Sequence, residues 1–152
     1  MSYYYPIALD LADRRVLIVG AGAVAQRKLR GVLEAGAADV TVVAPQSRDE
    51  LPPQVRWLKR SFEPGDLDGI DLCFAATDDP AVNELVARLC RERHILCNRA
   101  DRDDSEPGDF TVPAIHRDGP LTVAVWASGS PRLAGAVRDA IADSLDPAWG
   151  QM

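Results

Sequence analysis

The sequence lacks a long apolar segment, a basic leader and any pair of cysteines at metal-binding spacing. No apolar run approaches the roughly 20 residues of a transmembrane helix. Residues 1–10 have neither a basic stretch nor a long apolar core, so we expect no secretory signal. Cys73, Cys90 and Cys97 are odd in number, which predicts buried thiols and no bound metal. Together these absences predict a cytoplasmic protein with no membrane partner.

Positive charge is also scarce. Lysine and arginine number 17 against 23 acidic residues, a net charge of −6 at pH 7. This balance argues against nonspecific binding to nucleic acid. A polyanionic ligand would need a local basic patch, because the average field of the protein repels it. Internal repeats and low-complexity tracts are absent, and the length suits one domain with a short appendage.

The most informative motif that is present is a glycine-rich turn after the first predicted strand. Arg15–Val19 runs straight into Gly20-x-Gly22-x-x-Ala25, and a helical apolar pattern follows. The first glycine permits a sharp turn, the second lets a pyrophosphate approach the backbone, and the alanine allows close packing of helix on strand. The start of the helix is a natural anion site. The candidate cofactor-binding residues of this turn are Gly20, Gly22, Ala23, Val24 and Ala25.

Strands alternate with helices over the first 100 residues. The predicted strands are Arg15–Val19, Val40–Val43, Val55–Phe62, Asp71–Ala76 and His94–Asn98, and the predicted helices are Ala23–Ala35 and residues 80–93, with Asp79 as N-cap. This alternation predicts an α/β fold, a Rossmann-like, doubly wound parallel sheet. We place an NAD-binding domain over residues 1–109.

A different pattern occupies residues 110–152. The charged segment Arg99–Asp109 reads as a functional loop. Two strands, Phe110–Ile115 and Leu121–Ala127, then form a hairpin closed by His116–Pro120, and a helix follows over Pro131–Leu145 before a frayed tail. Two strands and one helix are marginal alone. We therefore expect a dimerisation region and a homodimer with its substrate site near the junction.

Motifs spread over residues 5–145 are similar to those of one enzyme family. They are Tyr5–Lys28, Val42–Pro45, Phe74–Asp78 with Asn83, Asn98-x-x-Asp101, Asp109-Phe-x-x-Pro-Ala114, Gly119-Pro-Leu-x-Val-Ala124, and Ser130-Pro-x-Leu-Ala134 with Arg138. The sequence resembles the precorrin-2 dehydrogenases. These are enzymes of siroheme synthesis that occur alone or as the N-terminal half of multifunctional siroheme synthases.

The resemblance implies oxidation of precorrin-2 to sirohydrochlorin, with NAD as cofactor, by a homodimeric enzyme. Some family members also insert ferrous iron, and this ferrochelatase activity stays open because the chain stops soon after one C-terminal helix. The loop between Asn98 and Phe110 is longer than the family's usual form, and Gly108 stands where a cysteine is common. The segment Ser128–Pro131 is shorter than the family's usual form of this segment.

Asp101 is the candidate catalytic base, because the family's functional aspartate falls on this position. Loss of a hydride from the reduced tetrapyrrole must be matched by loss of a proton to a base. A carboxylate beside an apolar macrocycle has a pKa suited to that task. The alternative is that Asp101 is one of four acids that only solvate the loop. Asp103 or Asp104 takes the role if the longer loop shifts the register.

Two further strand ends are candidate cofactor sites. Ala44 and Pro45 follow the second strand, where an acid usually binds the ribose hydroxyls, and no acid occurs. Gln46 or Ser47 could bind the hydroxyls instead, and Arg48 leaves NADP open. Thr77 and Asp78 close the fourth strand, where a nicotinamide–ribose contact is expected. Capping of the next helix by Asp78 or Asp79 is the alternative.

The substrate implied by the resemblance carries eight carboxylates, so local cations and N–H groups are needed. Arginine pairs with carboxylates through two hydrogen bonds, and the N-terminus of the last helix offers free N–H groups. A solvated surface role is the alternative for each arginine. The candidate substrate-binding residues are Asn98, Arg99, Arg102, Arg117, Ser128, Ser130 and Arg132.

A rival function is a regulatory domain that senses NAD(H) without catalysis. The charged loop with Asn98-x-x-Asp101 counts against it, because a sensor would not need that loop. Short-chain dehydrogenases are disfavoured, because no Tyr-x-x-x-Lys follows the third strand.

Overall fold

The chain divides into two compact units, residues 1–110 and 111–152. The computed structural model describes residues 4–100 and 108–151. Each unit has its own sheet. None of the helices in these described ranges has the length and apolar character needed to cross a bilayer.

The first unit is built on a parallel sheet of five strands in the order β3-β2-β1-β4-β5. The strands are β1 (Arg15–Val19), β2 (Asp39–Val43), β3 (Arg56–Leu58), β4 (Leu72–Ala75) and β5 (Leu96–Arg99), and the helices are α1 (Ala23–Glu34) and α2 (Pro80–Glu92). The order reverses between β1 and β4, the point where open α/β sheets bind their ligands. The prediction of an α/β fold with a doubly wound parallel sheet is confirmed.

Both faces of this sheet are buried, as the uninterrupted apolar strands predict. Val16 and Ile18 of β1 point to one face, where they share a core with Ala25, Leu29 and Val32 of α1. The alternate residues of β1, Leu17 and Val19, point to the opposite face and share a second core with Val86 and Cys90 of α2. The period of two along β1 thus places one helix on each side of the sheet.

Two strands of this unit differ from the prediction. The strand predicted over Val55–Phe62 is only Arg56–Leu58, because the N–H of Arg60 turns back to the carbonyl of Leu58. The fifth strand begins at Leu96 and not at His94. His94 adopts a φ of 57°. This left-handed conformation belongs to the turn that terminates α2, so the strand starts only after it.

The second unit is a hairpin covered by one helix. Strands β6 (Ala114–Asp118) and β7 (Leu121–Val125) pair antiparallel, and α3 (Pro131–Ser144) follows. The strand predicted over Phe110–Ile115 is therefore displaced, and His116 and Arg117 lie in β6 and not in the turn. The turn is the two-residue loop of Gly119 and Pro120, with glycine in its first position, as tight hairpins prefer.

The tail, predicted to be frayed, forms a 3₁₀ turn over Trp149–Gln151. A Cβ added at Gly119 would lie 2.0 Å from the carbonyl oxygen of Gly150. A Cβ added at Gly150 would in turn meet the carboxylate of Asp118 at 2.2 Å. The tail is thus packed against the hairpin turn, and both glycines are needed for that approach.

Candidate functional site

The turn from β1 into α1 has the geometry of an anion-binding site. Gly20 has a φ of 113°, and a Cβ there would lie 2.3 Å from the carbonyl oxygen of Ala76. No other residue fits at this position without moving the backbone that follows β4. The N–H of Gly20 donates to the carbonyl of Val43 at 2.9 Å. The turn therefore joins the carboxyl ends of β1, β2 and β4.

Gly22 is the N-cap of α1, and no side chain caps the helix there. The place that a Gly22 side chain would take has no heavy atom within 4 Å. The first turn of α1 contains no acidic residue. An anion can therefore approach the start of α1, at Ala23, Val24 and Ala25, along the helix dipole. The uncapped N–H groups at the start of α1 and the open space beside Gly22 are both suited to the pyrophosphate of a dinucleotide.

The segment after β2 is tied to this turn by hydrogen bonds. Arg48 donates its N–H to the carbonyl of Ala21 at 3.0 Å. Gln26 Nε2 donates to Ser47 Oγ at 3.0 Å, and the Ser47 hydroxyl donates to the carbonyl of Asp49 at 2.6 Å. Because the Ser47 hydroxyl already donates its proton to Asp49, its oxygen could bind a ribose hydroxyl only as an acceptor.

Ala44, the next residue after β2, is held on both sides of its backbone. Its N–H donates to the carbonyl of Leu58 at 3.1 Å, and its carbonyl accepts from Trp57 Nε1 at 3.0 Å. The chain reaches Pro45 in a fixed direction as a result. No acid follows among residues 44–48, as the sequence indicates.

Asn83 of α2 fixes the segment after β4. Its Oδ1 accepts from the backbone N–H of Thr77 at 3.0 Å and from the Thr77 hydroxyl at 2.8 Å, while its Nδ2 donates to the Thr77 carbonyl at 3.0 Å. Asn83 is almost fully buried. Asp79 caps α2 by accepting the N–H of Ala81 at 2.9 Å. The predicted cap is confirmed for Asp79, which leaves Asp78 as the cofactor candidate.

The segment after β5 is anchored at both ends of the charged loop. Ala100 donates its N–H to the carbonyl of Ala75 at 2.9 Å. Beyond the loop, the carbonyl of Phe110 accepts from Nδ2 of the buried Asn98 of β5 at 2.8 Å. Asp109 donates its N–H to the carbonyl of Cys97 at 2.8 Å and accepts the N–H of Cys97 at 2.9 Å. The two catalytic and substrate candidates of this loop, Asp101 and Arg102, lie outside the described residues.

Gly108 explains one departure from the family pattern. Its φ is 85°, and a Cβ there would lie 2.4 Å from the carbonyl oxygen of Cys97. A cysteine, the residue common at this place in the family, would not fit this path of the chain. Where Gly108 pairs with Asn98 of β5, the chain therefore requires glycine.

Arg99 is the last residue of β5 and not a loop residue. Its guanidinium forms an ion pair with Glu84 of α2, and its side chain is only 16% exposed. A substrate carboxylate would have to replace or share this partner. The assignment of Arg99 to the substrate site stays a prediction.

The remaining substrate candidates belong to the second unit. Ser130 is the N-cap of α3 and accepts the N–H of Leu133 at 3.3 Å, with Pro131 in the first helical position. Ser128 precedes the cap by two residues. Arg132 lies exposed in the first turn, and Arg117 lies in β6 opposite Thr122. The predicted helix start at Pro131 is confirmed, but the Ser130 hydroxyl already serves the helix.

Sequence reasoning missed two groupings. The motif that joins Asn83 to Phe74–Asp78 was noted in the sequence, but the role of Asn83 as a clamp on Thr77 was not. The three cysteines, which have no metal-motif spacing in sequence, come together in the core. The signal for that grouping lies in topology: Cys73 and Cys97 fall on the two strands that flank the crossover helix carrying Cys90.

A family model described as putative NAD(P)-binding matches residues 7–114. A solved structure described as SirC, precorrin-2 dehydrogenase, is 31% identical with a TM-score of 0.81, over 97% of this chain and 74% of that one. The chain belongs to the precorrin-2 dehydrogenase family. The siroheme synthases of Photobacterium profundum and Azotobacter vinelandii are 41% and 40% identical over 98% of the chain. The chain spans about a third (32%) of the length of the P. profundum relative.

Membership of the precorrin-2 dehydrogenase family confirms the resemblance found in the sequence. It also fits the geometry at Gly20 and Gly22, where a dinucleotide-binding family needs a close backbone approach. E. coli MccB, 12% identical with a TM-score of 0.52, shares the fold alone.

Proposed function

We propose that this protein is an NAD-dependent oxidoreductase that converts precorrin-2 to sirohydrochlorin in siroheme biosynthesis. The observation that carries the proposal is the likeness to SirC precorrin-2 dehydrogenase over 97% of the chain. The open helix start beyond Gly22 supports it independently, because it supplies the anion site that the cofactor requires.

The cofactor would be held at the carboxyl ends of the central strands. Gly20 and Gly22, with the start of α1, would bind the pyrophosphate, and Ala44 and Pro45 would line the adenosine side. Thr77 and Asp78 would contact the nicotinamide ribose, with Thr77 already fixed by Asn83. NAD, when bound, supplies the acceptor for the hydride. Arg48, which follows β2, leaves NADP as the competing cofactor.

Asp101 would take the proton that leaves the substrate. Its neighbour Ala100 is fixed to β4 by the hydrogen bond to Ala75, so the loop starts from the edge of the sheet where the strands end. The Asp101 carboxylate would act as the base, because the family's functional aspartate falls on this position. Asp103 and Asp104 are the alternatives if the longer loop shifts the register.

The carboxylates of precorrin-2 would be bound by cations and N–H groups. Arginine suits this role because it donates two hydrogen bonds to one carboxylate. The candidates are Asn98, Arg99, Arg102, Arg117, Ser128, Ser130 and Arg132.

We further propose that residues 1–109 form the NAD-binding domain and that residues 110–152 form the interface of a homodimer. Leu133, Val137 and Ile141 recur at helical spacing on α3 and are 54%, 38% and 36% exposed. Such a stripe is typical of a surface that another chain covers. We place the protein in the cytoplasm, where reduced thiols persist, because all three cysteines are free. No partner among nucleic acids or membranes is proposed.

The test is incubation of the purified protein with precorrin-2 and NAD while the absorption spectrum of sirohydrochlorin is followed. The proposal predicts conversion that depends on NAD, with NADP slower. A parallel reaction with ferrous iron tests for siroheme formation, and so for ferrochelatase activity. If NAD binds tightly and precorrin-2 is left unchanged, the protein is the NAD(H)-sensing domain instead and the oxidoreductase proposal is wrong.

A further inference from the structure

Three sulfur atoms meet in the core between the sheet and α2. The Sγ atoms of Cys73, Cys90 and Cys97 all lie within 4.8 Å of one another. The three cysteines come from β4, α2 and β5, and none is more than 1% exposed. They are free thiols, and they are all the cysteines that the chain has.

The backbone holds the three sulfurs in a fixed triangle. Cys73 and Cys97 are direct partners in the parallel pairing of β4 and β5, so their side chains project side by side from the same face. Cys90 approaches that face from α2, one turn after Val86, which is also buried in this core. Each sulfur is thus carried by a different regular element, which is the rigid support that a coordination site needs.

The spacing fits one metal ion at the centre of the triangle. A metal–thiolate bond of about 2.3 Å places three sulfurs of a planar centre about 4.0 Å apart. The observed distances between the three sulfur atoms do not exceed 4.8 Å, so they are compatible with this separation. Coordination would need only small rotations of the side chains and no movement of the strands.

The donor set selects the kind of ion. Thiolates favour soft ions such as Cu(I) and, with four ligands, Zn(II). Structural zinc sites are almost always four-coordinate, and within residues 4–100 and 108–151 no fourth histidine, carboxylate or thiol joins the group. The surrounding side chains are apolar, among them Leu17, Val19 and Ile95. A centre of three sulfurs without water therefore suits Cu(I).

We propose that Cys73, Cys90 and Cys97 form a binding site for one soft monovalent metal ion of the Cu(I) class. Each metal–sulfur bond forms as an S–H bond breaks, and the proton passes to the solvent. The oxidation state of the metal does not change. Occupation links β4, which leads to Thr77, with β5 and α2, which carry Asn98 and Asn83. The inference does not depend on the proposed oxidation of precorrin-2.

The test is anaerobic titration of the reduced, folded protein with Cu(I) supplied from a competing chelator. We expect one ion per chain, an ultraviolet thiolate-to-metal absorption band, and a rise in Tm of roughly 10 °C at a hundredfold excess over Kd. X-ray absorption of the loaded wild-type protein should show three sulfur neighbours and no oxygen or nitrogen.

Cys90→Ser is the matched variant, because it removes one ligand from the helix and leaves the paired strands intact. It should lose the absorption band and weaken Cu(I) binding at least tenfold, while circular dichroism stays unchanged. If the variant does not fold, the sulfur count of the wild type decides alone. No binding by the wild type, fewer than three sulfur neighbours, equal binding by Cys90→Ser, or tighter binding of Zn(II) than of Cu(I) would each overturn the proposal.

Discussion

At the scale of single residues, the ion pair of Arg60 and Asp66 makes stability depend on pH. Asp66 accepts from both terminal nitrogens of Arg60, at 2.6 and 2.9 Å, and from the N–H of Glu63 at 2.8 Å. The hydrogen bonds from Arg60 lower the pKa of Asp66 below its ordinary 3.8, against the opposing effect of burial. A carboxylate with a depressed pKa contributes stability that is present above its unfolded pKa.

We therefore expect Asp66→Asn to lower the urea midpoint at pH 7. The difference between the two urea midpoints should shrink as the pH falls below 3.8, the ordinary pKa of the carboxyl group. As the pH falls toward the lower pKa of the folded state, the wild type loses the stability that the charged Asp66 provides. Urea denaturation of both proteins between pH 2 and 7 measures this effect. Asp68→Asn is the control, since Asp68 is 81% exposed in its pair with Arg93 and such surface pairs contribute little. An equal loss in both variants would contradict the prediction.

The catalytic assignment is also a matter of single residues. Asp101→Asn keeps the size of the side chain and removes the base, so turnover of precorrin-2 should fall about 10²-fold or more. NAD affinity should barely change, because the proposed pyrophosphate site is at Gly20 and Gly22. Steady-state kinetics and NAD titration measure the two effects separately.

Asp103→Asn and Asp104→Asn are the matched controls for this change. Activity that survives in Asp101→Asn but is lost in one of the controls would show that the longer loop shifts the register. Full activity in all three variants would mean that no loop aspartate is the base.

At the scale of elements, the start of α1 allows a sharp test of cofactor binding. Gly22→Asp places a carboxylate in open space, where no heavy atom lies within 4 Å, and an aspartate at an N-cap favours the helix. The fold should survive while the charge repels the pyrophosphate. We expect NAD affinity to fall at least tenfold, which corresponds to about 1.4 kcal/mol.

Gly31→Asp is the control for this element. It adds the same charge to the same helix at another position that has no neighbour within 4 Å. Calorimetric titration with NAD should show a much smaller change for this variant, although its helix is weakened. If Gly22→Asp binds NAD as the wild type does, the pyrophosphate does not lie at this turn.

The elements also show where sequence patterns stop being informative. Strands β1, β2 and β4 were predictable within a residue, because buried apolar runs with turn residues on both sides leave little choice. Strand β3 is shorter than its apolar pattern, since Arg60 turns away toward Asp66. Strand β6 begins at Ala114 and not at Phe110, because Phe110 belongs to the first unit, where it packs edge-on against Phe74. The first error comes from a local turn at Arg60, and the second from a contact between residues distant in sequence.

At the scale of the whole molecule, the chain divides after residue 110, close to the place where the element pattern of the sequence changes. The candidate site was predictable only in part. The glycine turn carries its own signal, whereas the partner of Arg99 and the clamp formed by Asn83 depend on the packing of α2. The meeting of three cysteines required the strand order, which no local pattern contains.

The proposed homodimer is the prediction that belongs to this scale. Val137→Glu puts a charge in the middle of the exposed apolar stripe of α3, where Val137 is 38% exposed. We expect the protein to become monomeric at micromolar concentration in sedimentation-velocity ultracentrifugation, because burial of an unpaired charge opposes association. Leu96→Glu is the control, since Leu96 is 44% exposed in the first unit and should leave the assembly unchanged. A monomeric wild type would contradict the proposal.

The central place of β1 has a consequence for the growing polypeptide on the ribosome. β1 is synthesised well before one of its two neighbours, β4, which begins only at Leu72. Until that segment emerges, the apolar residues Val16–Val19 present an unpaired edge that can join a neighbouring nascent chain. Slow translation between β2 and β4 would lengthen this exposure, and a chaperone that binds short apolar strands would have its main target there.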